Sequence, residues 1–183
     1  MSKVTFITGN QGKVDFLARW LGVELDHQKI ELDELQSLDL HGIVEHKARQ
    51  AYQILKCPVL VEDVGLTFHA LGKLPGPFIK WFLSELSLQQ LCELLPINAD
   101  RAATSMVSYC LFDGEQVRFF DGSLQGNIPL LPRGNRGFGF DPIFVPNGSD
   151  HTHGEMSDEE IEHFGLRTTT VFPQLREYFK SIS

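Results

Sequence analysis

The apolar run Val59–Val61 constrains this chain most, because it meets two adjacent carboxylates, Glu62 and Asp63, and then Gly65. The run has the length and composition of a short buried strand. We expect the strand to end at the two acids and to place them at the rim of a sheet. Ligands of open α/β folds bind outside the carboxyl ends of strands, and Mg²⁺ takes one or two protein carboxylates. The segment therefore predicts a cation site, with a solvated strand end as the alternative.

The composition is that of an ordinary globular protein: 183 residues, 42% hydrophobic and 22% charged. We expect one domain over residues 1–183, since such a length can bury about 70% of the unfolded surface.

The net charge of −8 argues against binding to nucleic acid or to an anionic membrane. Three cysteines without a C-x-x-C pattern predict neither a disulfide framework nor a zinc ribbon. No signal-peptide core or run of ~20 apolar residues is present, so we predict a cytoplasmic protein.

Helical and strand patterns alternate early in the chain and a long hairpin follows, which indicates a mixed α/β domain with an antiparallel extension. The predicted strands are 4–8, 59–61, 104–112, 116–124 and 142–145. The predicted helices are 13–21, 43–55, 78–86, 88–95, 157–164 and 168–182, the last interrupted near Pro173. Asp113–Gly114 predicts the hairpin turn, and residues 31–40 and 134–139 are predicted as loops.

The segment Thr8–Lys13 lies where the first predicted strand turns into the first helix. Its glycines allow a tight turn and close approach to a ligand, and the N–H groups of a helix start attract anions. Lys13 adds a positive charge, so the segment could hold a phosphate. It is not a P-loop, because only two residues separate Gly9 from Gly12 and no serine or threonine follows the lysine. Similar turns are also common without any ligand.

Three further charged residues are candidates for the same site. Lys47 lies in the second predicted helix, and Lys80 follows a Pro-Gly-Pro turn. Each is either a surface lysine or part of a focused anion site. Glu34, in an acidic loop, is either solvated or a third carboxylate near Glu62 and Asp63.

Two aromatic residues, Phe138 and Phe140, lie on a glycine-flanked loop. Such rings can stack on a nucleotide base, which contributes ~1–3 kcal/mol per base. The alternative is a loop that plugs the core. His151 and His153 lack further ligands at zinc spacing, so no metal site is predicted there.

Together these segments resemble the inosine triphosphate pyrophosphatase family, enzymes that hydrolyse non-standard purine nucleoside triphosphates. The motifs that carry the resemblance are 8–10 with Lys13, 59–63, 70–72, 74–82, 132–134, 138–142 and 155–156. The run 74–82 is most similar to the eukaryotic and archaeal branch. The resemblance implies an elongated α/β fold with a mixed sheet, two lobes and a central cleft, and a homodimer.

The resemblance also implies a reaction. Water attacks the α-phosphorus of a nucleoside triphosphate, Mg²⁺ is required, and the products are the monophosphate and pyrophosphate. Lys13 and Lys47 would neutralise the triphosphate, and Glu34 and Asp63 would hold the metal. Glu62 would lie nearby, and one of the paired acids would activate water. The catalytic residues that the resemblance implies are Asp63, Glu62 and Lys13. We expect these acids and amines to face each other from opposite lobes.

The same resemblance assigns a base-binding region. Phe138 and Phe140 would flank the base, and Asp141 would contact its edge. The full set of implied substrate-binding residues is Thr8, Asn10, Lys13, Lys47, Lys80, Phe138, Gly139, Phe140, Asp141 and Arg167.

The chain departs from the family pattern near its carboxyl end. Ile161, Gly165 and Leu166 stand where the family typically has lysine, serine and histidine, and only Arg167 is retained. Isoleucine and leucine side chains donate no hydrogen bonds. Two alternatives to the family's usual activity therefore stay open: a pyrophosphatase with altered base specificity, and a nucleotide-binding protein with little turnover.

Overall fold

The computed structural model describes residues 4–22 and 26–182. Within these residues the strands are β1 Thr5–Ile7, β2 Asp26–Gln28, β3 Val59–Phe68, β4 Pro75–Gly76, β5 Ala102–Phe112, β6 Val117–Asn127 and β7 Val145–Pro146. The helices are α1 Gln11–Leu21, α2 Leu40–Leu55, α3 Ile79–Glu85, α4 Leu88–Glu93, α5 Asp158–Phe164 and α6 Phe172–Ile182. The predicted mixed α/β class is confirmed.

The strands form one mixed sheet in the order β2-β1-β3-β5-β6-β7, and β4 pairs with β3 outside this path. β1 runs parallel to both β2 and β3, whereas β4 is antiparallel to β3. The neighbouring strands β5 and β6 are joined by a four-residue turn, in which Asp113 Oδ1 accepts hydrogen bonds from the N–H groups of Glu115 and Gln116. The predicted hairpin is therefore confirmed.

Local sequence signals explain the helix ends. The Asn10 side chain caps α1, and Gly22 ends the helix in the left-handed conformation at φ 69°, where glycine carries no steric cost. Asp39 caps α2. Ser157 and Glu160 form a capping box on α5.

Two predicted strand boundaries were wrong. β3 does not end at the two acids but continues through them to Phe68, since apolar side chains resume at Leu66 and are buried there. Residues 142–145 do not form a single strand, because Asp141–Ile143 is a 3₁₀ turn with proline near its start. The strand β7 begins only at Val145.

The chain divides into two compact units. The first comprises residues 1–63, 107–121 and 170–183, and the second comprises 64–106 and 122–169. The core of the first unit packs α2 against β1, β3 and β5, with Val44, Val59 and Cys110 among its buried members. The core of the second packs α3, α4 and the 3₁₀ turn against β3, with Leu66 and Phe140 among them.

Two of the three cysteines are buried structural thiols. Burial raises the pKa of the Cys92 thiol to about 11 and that of the Cys110 thiol to about 12, and such thiols are inert. Among residues 4–22 and 26–182, no helix combines the length and the apolar character needed to cross a bilayer.

Arg101 links two segments of the second unit through hydrogen bonds. Its guanidinium donates hydrogen bonds of 2.7–2.9 Å to four backbone carbonyl oxygens, those of Cys92, Leu95, Ile128 and Pro129. The two carbonyls near the end of α4 are thereby joined to the segment that follows β6.

We expect Arg101→Met to lower the free energy of unfolding by about 3 kcal/mol, because the partly buried carbonyls lose a charged donor. Urea unfolding measures this change. The control Arg49→Met removes an exposed ion pair with Glu45 and should change the free energy by less than about 1 kcal/mol. Equal losses in the two variants would contradict the role given to Arg101.

Candidate active site

The two acids of β3 point to opposite faces of the sheet, because consecutive side chains alternate along a strand. Glu62 forms an ion pair with Lys13 of α1, and the Glu62 side chain is only 3% exposed. Asp63 accepts a hydrogen bond from Lys47 of α2, with Nζ 2.6 Å from Oδ2. β3 therefore carries two acid–amine pairs on consecutive residues, one on each face of the sheet.

All four of these residues belong to the first unit. The expectation that acids and amines face each other from opposite lobes was therefore wrong. The reason lies in the topology, because both lysines come from helices that precede β3 in the chain and approach the same strand. Ion pairing with these helices also explains why β3 continues through the acids instead of ending there.

The acids lie at a topological switch point. Strand β1 lies between β2 and β3. The chain passes from β1 through α1 to β2 on one side, and then from β2 through α2 to β3 on the other side. The parallel register sets Phe6 beside Leu60, so Glu62 and Asp63 lie just beyond the level at which β1 ends. Ligands of α/β folds bind at such carboxyl ends. The ligand site therefore stays at the sheet edge predicted from the sequence, although the strand that ends there is β1 and not β3.

The segment after β1 forms a capped helix start. Asn10 Oδ1 accepts a hydrogen bond of 3.3 Å from the N–H of Lys13, and Thr8 Oγ1 accepts one of 3.1 Å from the N–H of Asn10. A Cβ atom on Gly9 would lie 3.0 Å from Cδ of the exposed Lys29 side chain. This arrangement presents the N-terminal end of α1 beside the Lys13 ammonium, and both attract anions.

The predicted metal ligands Glu34 and Asp63 both lie near the Lys47 ammonium. Lys47 Nζ is 2.6 Å from Asp63 Oδ2 and 3.9 Å from Glu34 Oε1. Among residues 4–22 and 26–182, no group of three or more acidic, histidine or cysteine side chains is suitably placed for a metal. Two carboxylates nevertheless fit Mg²⁺, which keeps its other positions for water and phosphate oxygens.

The second unit contains the base-binding candidates, and it separates the two phenylalanines. Phe140 is 7% exposed and packs in the core with Leu66 and Ile143, so its predicted stacking role was wrong and the core-plugging alternative holds for this ring. Phe138 is half-buried, and the Arg167 guanidinium lies over its ring, 5.1 Å from the centroid. Only Phe138 of this pair presents a candidate stacking surface.

Asp141 holds the loop that carries Phe138. Its Oδ2 accepts a hydrogen bond of 2.7 Å from the N–H of Phe138, and a Cβ atom on Gly137 would lie 2.0 Å from the same oxygen. Gly137 and Gly139 have φ values of 75° and 65°, which favour glycine. The contact between Asp141 and a base edge stays a prediction.

Sequence reasoning missed the contribution of His153. Its Nε2 is 2.9 Å from the carbonyl oxygen of Phe164, and its Nδ1 is 3.7 Å from Asp141 Oδ1. The ring is thus buried beneath Asp141, and no spacing rule signals this. His151 instead pairs with Glu160 at 2.8 Å.

Lys80 is an exposed residue of α3 in the second unit. Its ammonium lies 5.4 Å from the centre of the Trp81 ring. The structure therefore gives Lys80 an aromatic neighbour, and its predicted role in phosphate binding stays a prediction.

The carboxyl-terminal departures have structural consequences. Leu166 is 5% exposed. A Cβ atom on Gly165 would lie 2.5 Å from the carbonyl oxygen of Ile161 and 2.6 Å from Thr168 Oγ1. The Thr168 hydroxyl donates to carbonyl oxygens of this same turn, including that of Gly165 at 3.0 Å. A serine at position 165 would crowd this turn.

The Ham1 family model matches residues 4–176. The chain belongs to the Ham1 family. A Trypanosoma cruzi protein named inosine triphosphate pyrophosphatase 2 is 43% identical over 174 residues, which cover 92% of this chain and 88% of the relative. A Saccharolobus solfataricus protein named dITP/XTP pyrophosphatase is 36% identical over 182 residues, covering 98% of this chain and 94% of the relative. The resemblance inferred from the sequence motifs is confirmed.

Solved Ham1 structures share the fold. A HAM1 protein from Coxiella burnetii matches with a TM-score of 0.86 at 23% identity, covering 99% of this chain and 100% of the other. The Mycobacterium abscessus protein described as nucleoside-triphosphatase / dITP/XTP pyrophosphatase matches with a TM-score of 0.73 at 26% identity, covering 88% and 92% of the two chains.

The different positions of the two phenylalanines can be measured. We expect Phe140→Ala to lower the free energy of unfolding by about 3 kcal/mol or more, because it leaves a cavity in the core. The matched variant Phe138→Ala should lower it by less than about 1 kcal/mol, since its ring is only half-buried. Thermal or urea unfolding of the two variants decides the point, and a larger loss for Phe138→Ala would contradict the assignment.

Proposed function

We propose that this protein hydrolyses non-standard purine nucleoside triphosphates, namely inosine, deoxyinosine and xanthosine triphosphates, to the monophosphate and pyrophosphate. The observation that carries the proposal is the pair of lysine–carboxylate contacts on adjacent residues of β3, at the switch point of a Ham1 fold. The printed names of relatives 36–43% identical to this chain support the same activity.

The phosphate groups would bind at the first unit. Lys13 and Lys47 would neutralise the triphosphate, and the start of α1, shaped by Thr8 and Asn10, would add N–H groups that attract anions. Charge neutralisation and positioning account for most of the rate of phosphoryl transfer. These four residues can therefore supply much of the required stabilisation.

Glu34 and Asp63 would hold Mg²⁺. When bound, the ion would polarise phosphoryl oxygens and orient the triphosphate. The donor set supports this assignment, because both carboxylates already lie beside one cationic group, the Lys47 ammonium. Oxygen ligands of this kind suit a hard cation.

Water would attack the α-phosphorus, and the bond from this phosphorus to the bridging oxygen of the β-phosphate would break. Pyrophosphate leaves with the bond's electron pair, and the attacking water loses a proton. Asp63 and Glu62 are the candidate acceptors of that proton. The exposure of their side chains, 21% for Asp63 and 3% for Glu62, favours Asp63 as the one that water can reach.

The base-binding role would belong to residues of the loop that carries Phe138. Phe138 would supply the stacking surface, with Gly139 allowing close approach of the backbone. Arg167, which lies over the Phe138 ring, would move along or off that ring to admit the base. Asp141 would fix the loop and, through its second oxygen, could contact the base edge. Lys80 would be a further substrate-binding residue, as the family resemblance implies.

The proposal includes a homodimer, which derives from the family resemblance, and a cytoplasmic location, which derives from the sequence pattern. The acidic net charge of −8 argues against a nucleic-acid partner. Sedimentation analysis of the purified protein would test the dimer.

We expect the wild-type protein to release pyrophosphate, and not orthophosphate, from inosine triphosphate with Mg²⁺ present. Asp63→Asn should lower kcat/KM by about 100-fold or more, because it removes a charge that acts in the transition state, while leaving the fold intact. The control Asp15→Asn alters an exposed carboxylate that accepts a bond from Gln11 and should retain activity. Nucleotide binding without turnover in the wild type would instead favour a binding protein.

A second candidate is a pyrophosphatase with altered base specificity. It is favoured by Ile161 and Leu166, whose apolar side chains cannot bond to a base. It is also favoured by Thr168 and His153, whose polar side-chain atoms already bond to backbone carbonyl oxygens. Sites that read a base through buried polar groups discriminate strongly, and sites without them do not.

This alternative predicts a narrow spread of kcat/KM. We expect inosine triphosphate to be preferred over adenosine and guanosine triphosphates by less than about 100-fold, a factor typical of pockets that do not read a substrate through hydrogen bonds. Steady-state kinetics with the three nucleotides measures the ratio. A preference of about 10⁴-fold or more would contradict altered specificity and leave the main proposal in place.

A further inference from the structure

The two lysine–carboxylate pairs differ in how enclosed they are. The Glu62 carboxylate is 3% exposed and its partner Lys13 is 26% exposed. Separating that pair would leave a charge in a nearly closed site, which is strongly unfavourable. The Asp63 carboxylate is 21% exposed and Glu34 is 32% exposed. These two acids are open enough to change partners.

Lys47 contacts both of the open acids. Its ammonium nitrogen is 2.6 Å from Asp63 and 3.9 Å from Glu34, and its side chain is 16% exposed. An ammonium and a divalent cation cannot both lie against the same carboxylate oxygens without strong mutual repulsion, even at a high effective dielectric constant. The flexible four-carbon stem of lysine allows the ammonium to reach another anion.

We propose that the Lys47 ammonium is a resident competitor of the metal ion at Glu34 and Asp63. A polyphosphate draws the ammonium away by offering it a new anionic partner, and the carboxylates then accept the cation. Cation binding and polyphosphate binding are thereby coupled, and such coupling acts equally in both directions. The proposal rests on the metal site of the proposed function and adds a regulatory role for Lys47 within it.

The test measures binding of Mn²⁺ alone, without nucleotide, by the electron paramagnetic resonance signal of the unbound ion. Lys47→Met should bind Mn²⁺ about tenfold more tightly than the wild type, because the competing charge is gone. The control Lys73→Met removes an exposed charge in the second unit and should not change the affinity. Lys47→Gln, which also lacks the charge, should behave as Lys47→Met, and thermal unfolding verifies that both variants fold.

A second titration uses tripolyphosphate in the presence of a chelator that removes metal. Here Lys47→Met should bind several-fold more weakly than the wild type, because the amine also contacts phosphate. Mn²⁺ affinity equal to or weaker than the wild type in folded Lys47→Met and Lys47→Gln would overturn the proposal. So would unchanged binding of tripolyphosphate.

The outcomes separate this inference from the proposed function. If the wild type releases pyrophosphate from inosine triphosphate but the Lys47 variants bind Mn²⁺ no more tightly, the competitor role fails and the activity stands. If the wild type releases none but the Lys47 variants bind Mn²⁺ more tightly, the cation site is supported and the proposed function fails.

Discussion

The pairing of lysine ammonium groups with the acids of β3 is the interaction on which the rest of the site depends. Glu62 and Asp63 interrupt the apolar pattern of a long central strand, and an unpaired charge at the enclosed Glu62 would be strongly unfavourable. Lys13 and Lys47 neutralise them from opposite faces of the sheet. The strand can then continue into the second unit, where Leu66 and Phe68 are buried. The same charges that make the strand possible are those suited to phosphate and metal.

The lysine–carboxylate contacts of β3 stabilise the fold, and in the proposed function the same residues bind the ligand. The protein holds its amines and carboxylates against one another, and the proposed metal–triphosphate complex would offer each of them an alternative partner of opposite charge. The exchange costs least where the pair is open to solvent, as at Asp63, and most where it is enclosed, as at Glu62. The two pairs are therefore suited to different tasks, Lys13 to a fixed positive charge and Lys47 to exchange.

Local sequence signals were sufficient for the helices and the long hairpin, but they missed the short strands β2 and β4 and were insufficient for the contacts. Helix caps such as Asn10 and Ser157 and the Asp113–Gly114 turn depend on neighbouring residues, so these elements could be predicted. The continuation of β3 depends on lysines from two other helices, which no local window contains. Phe138 and Phe140 have nearly the same neighbours in sequence, and only the packing of the second unit separates a core ring from a half-buried one. The motifs identified the family because they combine residues from many such local segments.

The most direct test of the account is a crystal structure with Mn²⁺ and a non-hydrolysable analogue of inosine triphosphate, with the metal located by its anomalous signal. We expect the metal in direct contact with carboxylate oxygens of Asp63 and Glu34, at about the 2 Å typical of Mg²⁺, and phosphate oxygens in contact with the ammonium groups of both Lys13 and Lys47. A metal bound away from Asp63, or a triphosphate that contacts neither lysine, would contradict the account.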